Sequence, residues 1–186
     1  MRYLLLLMSF LMLTACAVGP YPVTSPYYRI PSGSKLVLKQ ELVIPPNKGR
    51  VYIQYGKVIS AKEKDNFHAN CYFLSWDVLN TAQVIKPDTF FIVKSTQSDE
   101  YVKRQTMTQL AMRGGMGIGI GMDDSDGGPY AQHYFTEMVI HSDRQPQIRR
   151  FTCGHYEQPN DGRHLTVAEM QQALGKVVEI QLNTAK

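Results

Sequence analysis

The sequence predicts a mainly β fold, an antiparallel sandwich or small barrel with one C-terminal α-helix. Three observations predict it. Short segments of alternating apolar and polar residues recur from residue 35 onward, turn residues separate them, and one helical apolar stripe lies near the C-terminus. Short strands at such spacing, with turn signals between them, are typical of sandwiches and barrels.

The first two predicted strands form a hairpin. In KLVLKQELVI (35–44), the leucine and isoleucine side chains fall on one parity and the charged side chains on the other, as expected for a half-buried strand. PPNKG (45–49) is rich in turn-forming residues. RVYIQYG (50–56) then alternates again, so the two segments are expected to pair.

Six further strands follow from the same alternation and from β-branched and aromatic enrichment. Their segments are 67–76, 89–95, 100–106, 133–141, 147–156 and 176–182.

One helix is predicted between the last two strands. Thr166 is its N-cap, and Glu169 three residues later completes a capping box. Val167, Met170 and Leu174 form the apolar stripe. The glycine that follows Leu174 is a natural stop for the helix.

The N-terminus carries an apolar segment that is too short to cross a membrane. One basic residue, Arg2, precedes an uncharged run of 12 residues, 4–15. A spanning helix needs about 20 apolar residues, whereas this length is typical of a signal peptide. The run ends on Leu13-Thr14-Ala15-Cys16. An ordinary signal cleavage site has small residues at −3 and −1, and Leu13 at −3 is large.

The segment Leu13 to Cys16 resembles the lipobox of bacterial lipoproteins, in which cleavage precedes the cysteine and the cysteine is acylated. The resemblance implies that 1–15 is a signal peptide and that Cys16 carries the lipid. Two or more acyl chains hold a protein stably in a membrane. Ala17, rather than Asp, follows the cysteine, which by the same resemblance implies the outer membrane, with the periplasmic face favoured over the surface. The alternative is a chance cysteine behind an ordinary signal or a short anchor.

The remaining chain divides into a tether and one domain. Residues 16–34 hold the lipidated cysteine and four prolines, without a hydrophobic period. Proline-rich segments of this kind act as extended spacers. Residues 35–186 are expected to form a single β-rich domain containing a glycine-rich loop at 113–129, since this length suits one domain with its own core.

Two cysteines remain once Cys16 is assigned to lipid. Cys71 and Cys153 form an even pair, as is usual in an oxidising compartment, and strand parity places both among apolar residues that point inward. We therefore expect a disulfide. His68 and His155 lie close to them in the sequence, so the four residues also have the composition of a structural zinc site. Parity places His68 on the opposite face from Cys71, and we expect neither a metal nor another cofactor.

The glycine-rich segment RGGMGIGIGMDDSDGG (113–128) carries no phosphate-binding motif. Its acidic end does not match the spacing of an EF-hand, although a surface calcium site from these acids is an alternative. The simplest interpretation is a loop between two strands. The alternation of Met116, Ile118, Ile120 and Met122 also predicts a soft apolar edge for a partner or a lipid.

No catalytic residue is identified. The chain contains no G-x-S-x-G, H-E-x-x-H or S-x-x-K motif. Without Arg2, the 20 basic residues become 19, set against 16 acidic residues. They are scattered rather than clustered, which argues against nucleic-acid binding. Segments such as FHANCYFLSW and LTVAEMQQALG resemble uncharacterised envelope lipoproteins of gammaproteobacteria, which implies a β-rich envelope domain and no activity.

Together these observations predict a non-catalytic outer-membrane lipoprotein, structural or adaptor-like in role. It is expected to be held in the membrane by its lipid and to bind another envelope protein or a cell-wall component. The alternatives are a lipid or small-ligand carrier and an envelope hydrolase. A deep apolar pocket would favour the carrier, convergent polar groups in a cleft the hydrolase, and an exposed apolar patch the adaptor.

Overall fold

The computed structural model describes residues 21–102, 131–158 and 161–184. It is mainly β, as predicted, and a curled antiparallel sheet forms a half-barrel with one helix. The predicted signal peptide (1–15), Cys16 and the loop predicted at 113–129 lie outside the described residues, so those interpretations stay predictions. Within the described ranges, no helix combines the length and the hydropathy needed to cross a bilayer.

The described residues form ten strands and one helix. Their bounds are β1 (Lys35–Leu38), β2 (Leu42–Ile44), β3 (Arg50–Gln54), β4 (Lys57–Ile59), β5 (Asn70–Ser75), β6 (Gln83–Ile85), β7 (Asp88–Val102), β8 (Ala131–His141), β9 (Ile148–Glu157), α1 (Val167–Leu174) and β10 (Val178–Gln181). Eight strands form the main sheet in the order β10-β1-β7-β8-β9-β5-β3-β4, and β2 and β6 form a separate ribbon.

The predicted strand 35–44 is two strands, and its predicted hairpin with 50–56 is wrong. β1 pairs with β7 and β10 in the main sheet, whereas β2 pairs with β6 in the ribbon. The alternation itself was correctly interpreted, because Leu36, Leu38, Leu42 and Ile44 are all buried. Alternation reports which side chains point inward, but it does not identify the partner strand.

The actual hairpin in this region joins β3 to β4. Its two-residue loop, Tyr55 and Gly56, has positive φ at both positions, as hairpin turns of the primed type require. The tip rests on the end of α1, where the Gly56 N–H donates to the carbonyl oxygen of Ala173 at 2.8 Å. A Cβ on Gly175, the C-cap of α1, would lie 2.6 Å from the Gly56 Cα, so both glycines are needed for this approach.

The predicted strands at 89–95 and 100–106 belong to one long strand, β7, at least as far as Val102. A bulge between Ile92 and Lys94 shifts its register with β8. An extra residue in one strand bends it and strengthens its twist. β7 therefore follows the curl of the half-barrel without a break.

The core lies on the inner face of the sheet, which packs against α1 and the ribbon. The Phe73 ring lies 4.6 Å from Phe151 and 5.5 Å from Phe90, centroid to centroid, so three strands share one aromatic contact. From α1, the apolar side chains of Met170 and Leu174 are buried against this face. Burying such large apolar side chains is the main favourable term in folding.

The capping box of α1 forms as predicted. The Thr166 hydroxyl accepts from the Glu169 N–H, and the Glu169 carboxylate accepts from the Thr166 N–H at 2.8 Å. Glu169 is also paired with Arg163, whose guanidinium is the main cause that lowers the pKa of this carboxyl to about 2. The helix start is thus fixed by both backbone capping and an ion pair.

One edge of the main sheet is closed by a side chain. Gln171 of α1 donates to the carbonyl oxygen of Val178 and accepts from the N–H of Ile180, each at 2.9 Å. These bonds occupy backbone groups of β10 that a further strand would otherwise use. The opposite edge of the sheet is β4, a strand of three residues.

The two remaining cysteines are joined, as predicted. Cys71 of β5 lies directly opposite Cys153 of β9, with Cα atoms 4.1 Å apart and sulfur atoms 2.07 Å apart. Both side chains are fully buried. The disulfide therefore crosslinks two neighbouring strands in the centre of the sheet.

Part of the predicted tether packs on the domain. Ile30 is 3 % exposed and belongs to the core. The Gln97 side chain of β7 donates to the carbonyl oxygen of Pro26 at 2.7 Å. Residues from Pro26 to Ser34 are therefore held against the sheet rather than free as a spacer.

A buried carboxylate ties the start of β7 to the loop after β8. Asp88 accepts hydrogen bonds from Gln145, Ser142, Arg144 and the Thr89 N–H. Burial alone would raise the pKa of Asp88, but these bonds outweigh it and lower the pKa to about 2. The ionised form is therefore a structural element of the fold.

We predict that reducing the disulfide lowers the free energy of unfolding by about 4 kcal/mol, because the 82-residue separation no longer restricts the unfolded chain. Urea unfolding with and without reductant measures this. The Cys71→Ala/Cys153→Ala variant serves as control, since reductant should not change its stability. Equal unfolding curves for the oxidised and reduced wild type would refute the prediction.

A second prediction concerns acid stability. Because the pKa of Asp88 is lowered in the folded state, its contribution is complete above the ordinary carboxyl pKa and is lost as pH falls from about 4 towards about 2. The shift corresponds to about 2 kcal/mol. Asp88→Asn should lose this stability at pH 7. Its free energy of unfolding in urea should then fall less steeply than that of the wild type between pH 7 and pH 2. Asp143→Asn, on an exposed side chain, is the matched control. An equally steep fall in Asp88→Asn would contradict the assignment.

Candidate functional site

We call two concave surfaces formed by the described residues the groove and the cleft. The groove lies beside β3 and β4, at the open edge of the main sheet, and has a volume of about 830 Å³. Its opposite wall comes from β2 and the turn that follows it. The apolar residues that line it are Val43, Pro45, Val51, Val58, Ile59, Ala61, Leu74 and Val78.

Hydrogen bonds fix the walls of the groove. The Asn47 N–H donates to the carbonyl oxygen of Leu79 at 2.7 Å, and the Ser75 N–H donates to that of Gly49 at 2.9 Å. These bonds join the turn after β2 to the segment after β5. The walls of the groove are therefore held together by backbone hydrogen bonds between these two segments.

All charged side chains that line the groove are basic. Lys48 and Arg50 lie two residues apart at the start of β3, Lys62 follows β4, and no acidic residue lines the groove. Within the described parts of the chain, no carboxylate lies within 4 Å of these three cations. Their positive charge is thus not compensated by a contact ion pair.

Aromatic rings hold the cations at this edge. The Arg50 guanidinium lies 4.8 Å from the centre of the Tyr72 ring, and the Lys64 ammonium lies 4.9 Å from that of Tyr52. Burial and the neighbouring charge of Arg50 lower the pKa of Lys64. Burial opposes the charge of Arg50, but Tyr72 and Tyr52 outweigh it and raise the pKa of the guanidinium. The cations repel each other, and a bound anion would relieve that repulsion.

Exposed apolar side chains extend the groove outward. Val43 and Val84, paired across the ribbon, are both exposed on its outer side. Val78 is 62 % exposed and Trp76, the single tryptophan of the chain, is 69 % exposed. Val43 and Val78 belong to the lining of the groove, and large exposed apolar patches often mark binding surfaces.

The cleft lies between α1 and the loop 65–69, with β9 as its floor, and has a volume of about 480 Å³. The buried Gln54 side chain fixes the loop, because it donates to the carbonyl oxygens of Asp65 and His68 and accepts from the Asp65 N–H. Tyr55, at the tip of the β3–β4 hairpin, forms part of the rim.

A buried histidine lies in the floor of the cleft. His155 is 4 % exposed, and neither ring nitrogen has a hydrogen bond to any described residue. Its Nε2 lies 3.4 Å from Glu157 Oε1, but the pair lacks hydrogen-bond geometry. Burial lowers the pKa of His155, so the imidazole is neutral at pH 7. A buried polar group without a partner costs about 1–3 kcal/mol.

Of the two carboxylates that line the cleft, one already has a cationic partner. The Arg163 guanidinium donates to both oxygens of Glu169, at 2.8 and 2.5 Å. Glu157 has His155 as its only basic neighbour within 4 Å among the described residues. The residues that line the cleft include no Ser, Thr or Cys, and its one hydroxyl group is the phenol of Tyr55.

The residues singled out from the sequence fall in different places. Cys71 and Cys153 are bonded to each other, and His68 is exposed beside Asp65 with its Nδ1 at 2.9 Å from that carboxylate. The zinc alternative therefore has no set of ligands, and no group of three or more metal-binding side chains occurs in the described ranges. Cys16 lies outside the described residues, as do all members of the predicted apolar edge, Met116, Ile118, Ile120 and Met122.

Sequence reasoning missed both concave surfaces. For the groove, a local signal existed, because KVISAKEK (57–64) carries three lysines within eight residues. For the cleft, His155 shares the parity of Cys153, and that parity alone indicates an inward side chain.

No protein-family model, curated protein or solved structure matches this chain. Function is therefore argued from the chemistry of the groove and the cleft.

Proposed function

We propose that this chain is a non-catalytic binding component of the cell envelope, anchored in the outer membrane by lipid on Cys16, and that its groove binds an acyl lipid with an anionic head group. One observation carries the proposal. The groove is lined by apolar side chains and by three basic residues, and by no acidic residue. This is the complement of an amphiphile with one negative end.

The apolar part of the groove suits an acyl chain. Ligand sites typically measure about 300–1,000 Å³, with a mainly apolar lining and a few polar groups, and the groove falls within that range. Val43, Val58 and Val78 are each more than a third exposed. Covering them would gain about 25 cal/mol for each Å² of apolar surface removed from water.

The basic part suits a phosphate or carboxylate head group. Arginine presents a planar donor fork that binds such anions in a bidentate way, and lysine adds a point charge. Arg50 is already oriented by its contact with the Tyr72 ring. Lys48 and Lys62 flank it in the lining of the same groove. Glu100 acts on Arg50 from beyond contact distance, and an anion bound at these three residues would add a countercharge in direct contact with them.

The anchor and the groove support each other in this proposal. A lipid on Cys16 would keep the domain at a membrane, where acyl lipids are concentrated. Tethering of this kind raises the effective concentration of a ligand without any new contact. The expected adaptor role and the alternative of a lipid carrier thus converge on one surface, which binds a component of the membrane itself.

A hydrolase is less well supported. The groove holds the Ser60 hydroxyl without a histidine or carboxylate in its lining, and the cleft holds His155 and Glu157 without a Ser, Thr or Cys in its lining. Nucleophilic hydrolysis requires a nucleophile and a base within hydrogen-bond reach of each other.

The groove predicts selective binding of anionic lipids. The sample is the mature chain (16–186) carrying Cys16→Ser, so that no lipid is attached. Monomeric lysophosphatidylglycerol should shift the emission of Trp76 to shorter wavelength in a saturable way, whereas zwitterionic lysophosphatidylcholine should bind at least tenfold more weakly. Charge-assisted hydrogen bonds are worth about 1.5–3 kcal/mol, so Arg50→Gln should also cost about tenfold or more in affinity.

Arg29→Gln, on an exposed side chain outside the groove, is the matched control and should leave the affinity unchanged. Equal affinity for the anionic and the zwitterionic lipid, or equal losses in Arg50→Gln and Arg29→Gln, would refute this role of the groove.

The anchor makes a separate prediction. In cells, the wild-type chain should incorporate labelled palmitate and sediment with outer membranes. Cys16→Ala should do neither, because the acyl acceptor is gone. Cys71→Ala is the control for loss of a cysteine as such and should still be labelled. If Cys16→Ala remains membrane-bound and labelled, the proposed anchor is wrong.

A further inference from the structure

We propose that the cleft is a second, independent binding site and that it takes a primary alkylammonium group. The ammonium would lie between the imidazole of His155 and the carboxylate of Glu157, beneath the rim at Tyr55. This site shares no residue with the groove, so each proposal can be tested without the other.

The first argument is the unpartnered histidine. His155 lies in the floor of the cleft, more than nine-tenths buried, with no hydrogen bond to any described residue. The great majority of buried polar side chains have a partner in the protein or in bound solvent. A neutral imidazole offers one acceptor nitrogen, which a donor in the cleft can use.

The second argument is charge. The Arg163 guanidinium is fully engaged with Glu169. Glu157 faces the cleft with a side chain 40 % exposed, and within 4 Å it meets only the imidazole of His155 among the described basic groups. The cleft thus has two carboxylates and one guanidinium, which leaves a net negative charge. A cationic ligand would complete the balance, and an anion would be repelled.

The third argument is the aromatic rim. Tyr55 is 62 % exposed, and its ring centre lies 5.8 Å from that of His68. The face of an aromatic ring attracts an ammonium group. A metal ion fits less well, because His155 and Glu157 supply two ligands where protein zinc sites use three or four.

An alkylammonium group can come from a free amine or from the lysine side chain of a partner. Both present the same three N–H donors on an alkyl stem. The cleft volume of about 480 Å³ accommodates either one. The experiment therefore contains one probe for each source.

The test is an NMR titration of isotope-labelled mature chain (16–186) carrying Cys16→Ser, observed at the imidazole resonances of His155 at constant pH. Butylammonium chloride should shift these resonances in a saturable way, and neutral butanol should not. Glu157→Gln should weaken butylammonium binding at least tenfold. Glu179→Gln, on a comparably exposed carboxylate of β10, should leave it unchanged.

Nα-acetyl-lysine methylamide reports the source. Binding as tight as that of butylammonium supports a lysine side chain as the natural ligand, and weaker binding supports a free amine. No saturable shift, an equal response to butanol, or equal affinity in the Glu157→Gln variant would overturn the proposal. A response to Zn²⁺ at lower concentration than to butylammonium would also overturn it, in favour of a metal site. Because the Glu157 side chain is partly exposed and makes no hydrogen bond to the described residues, Glu157→Gln is expected to fold.

Discussion

The register between β5 and β9 is the constraint on which the rest of the structure depends. It places Cys71 opposite Cys153 and Phe73 opposite Phe151, all on the inner face. A slip by one residue would turn each of these side chains to the other face of the sheet. The disulfide excludes such a slip, because it is made between the two residues that the register brings together. The centre of the sheet is thus specified by packing and by a covalent bond at the same position.

This register also determines which side chains of β5 and β9 line the groove and the cleft. His155 lies two residues beyond Cys153 and shares its face, which puts the imidazole in the floor of the cleft. On β5, Leu74 has the opposite parity to Phe73 and contributes to the groove. One pairing therefore separates an apolar, basic surface at the sheet edge from a polar, acidic surface beside α1. The side chains that line the groove carry a net positive charge and those that line the cleft a net negative charge, which is consistent with two ligands of opposite charge.

The sequence predicted what depends on local pattern. Strand parity placed Cys71 and Cys153 inward, and the spacing of Thr166 and Glu169 defined the start of the helix. Pairings between distant segments were not accessible in this way. The three residues of β6 carry too little alternation to be recognised, so their pairing with β2 was missed.

The groove was missed for the same reason. Lys48 and Arg50 are two residues apart in the sequence, and the pairing of β3 with β4 brings Lys62 to the same groove. The sequence does not show that these three side chains line one groove, because that depends on the three-dimensional fold. The cleft depends in a similar way on the docking of the β3–β4 hairpin against α1.

The central claim is that the groove holds an anionic acyl lipid, and photo-crosslinking in cells tests it most directly. A photoreactive amino acid replaces Val58, which lines the groove, and in a control it replaces Tyr101, an exposed residue that does not line it. We expect mass spectrometry to find a phosphate-bearing acyl lipid attached at position 58 and none at position 101. Crosslinks from position 58 to protein alone, with no attached lipid, would contradict the account.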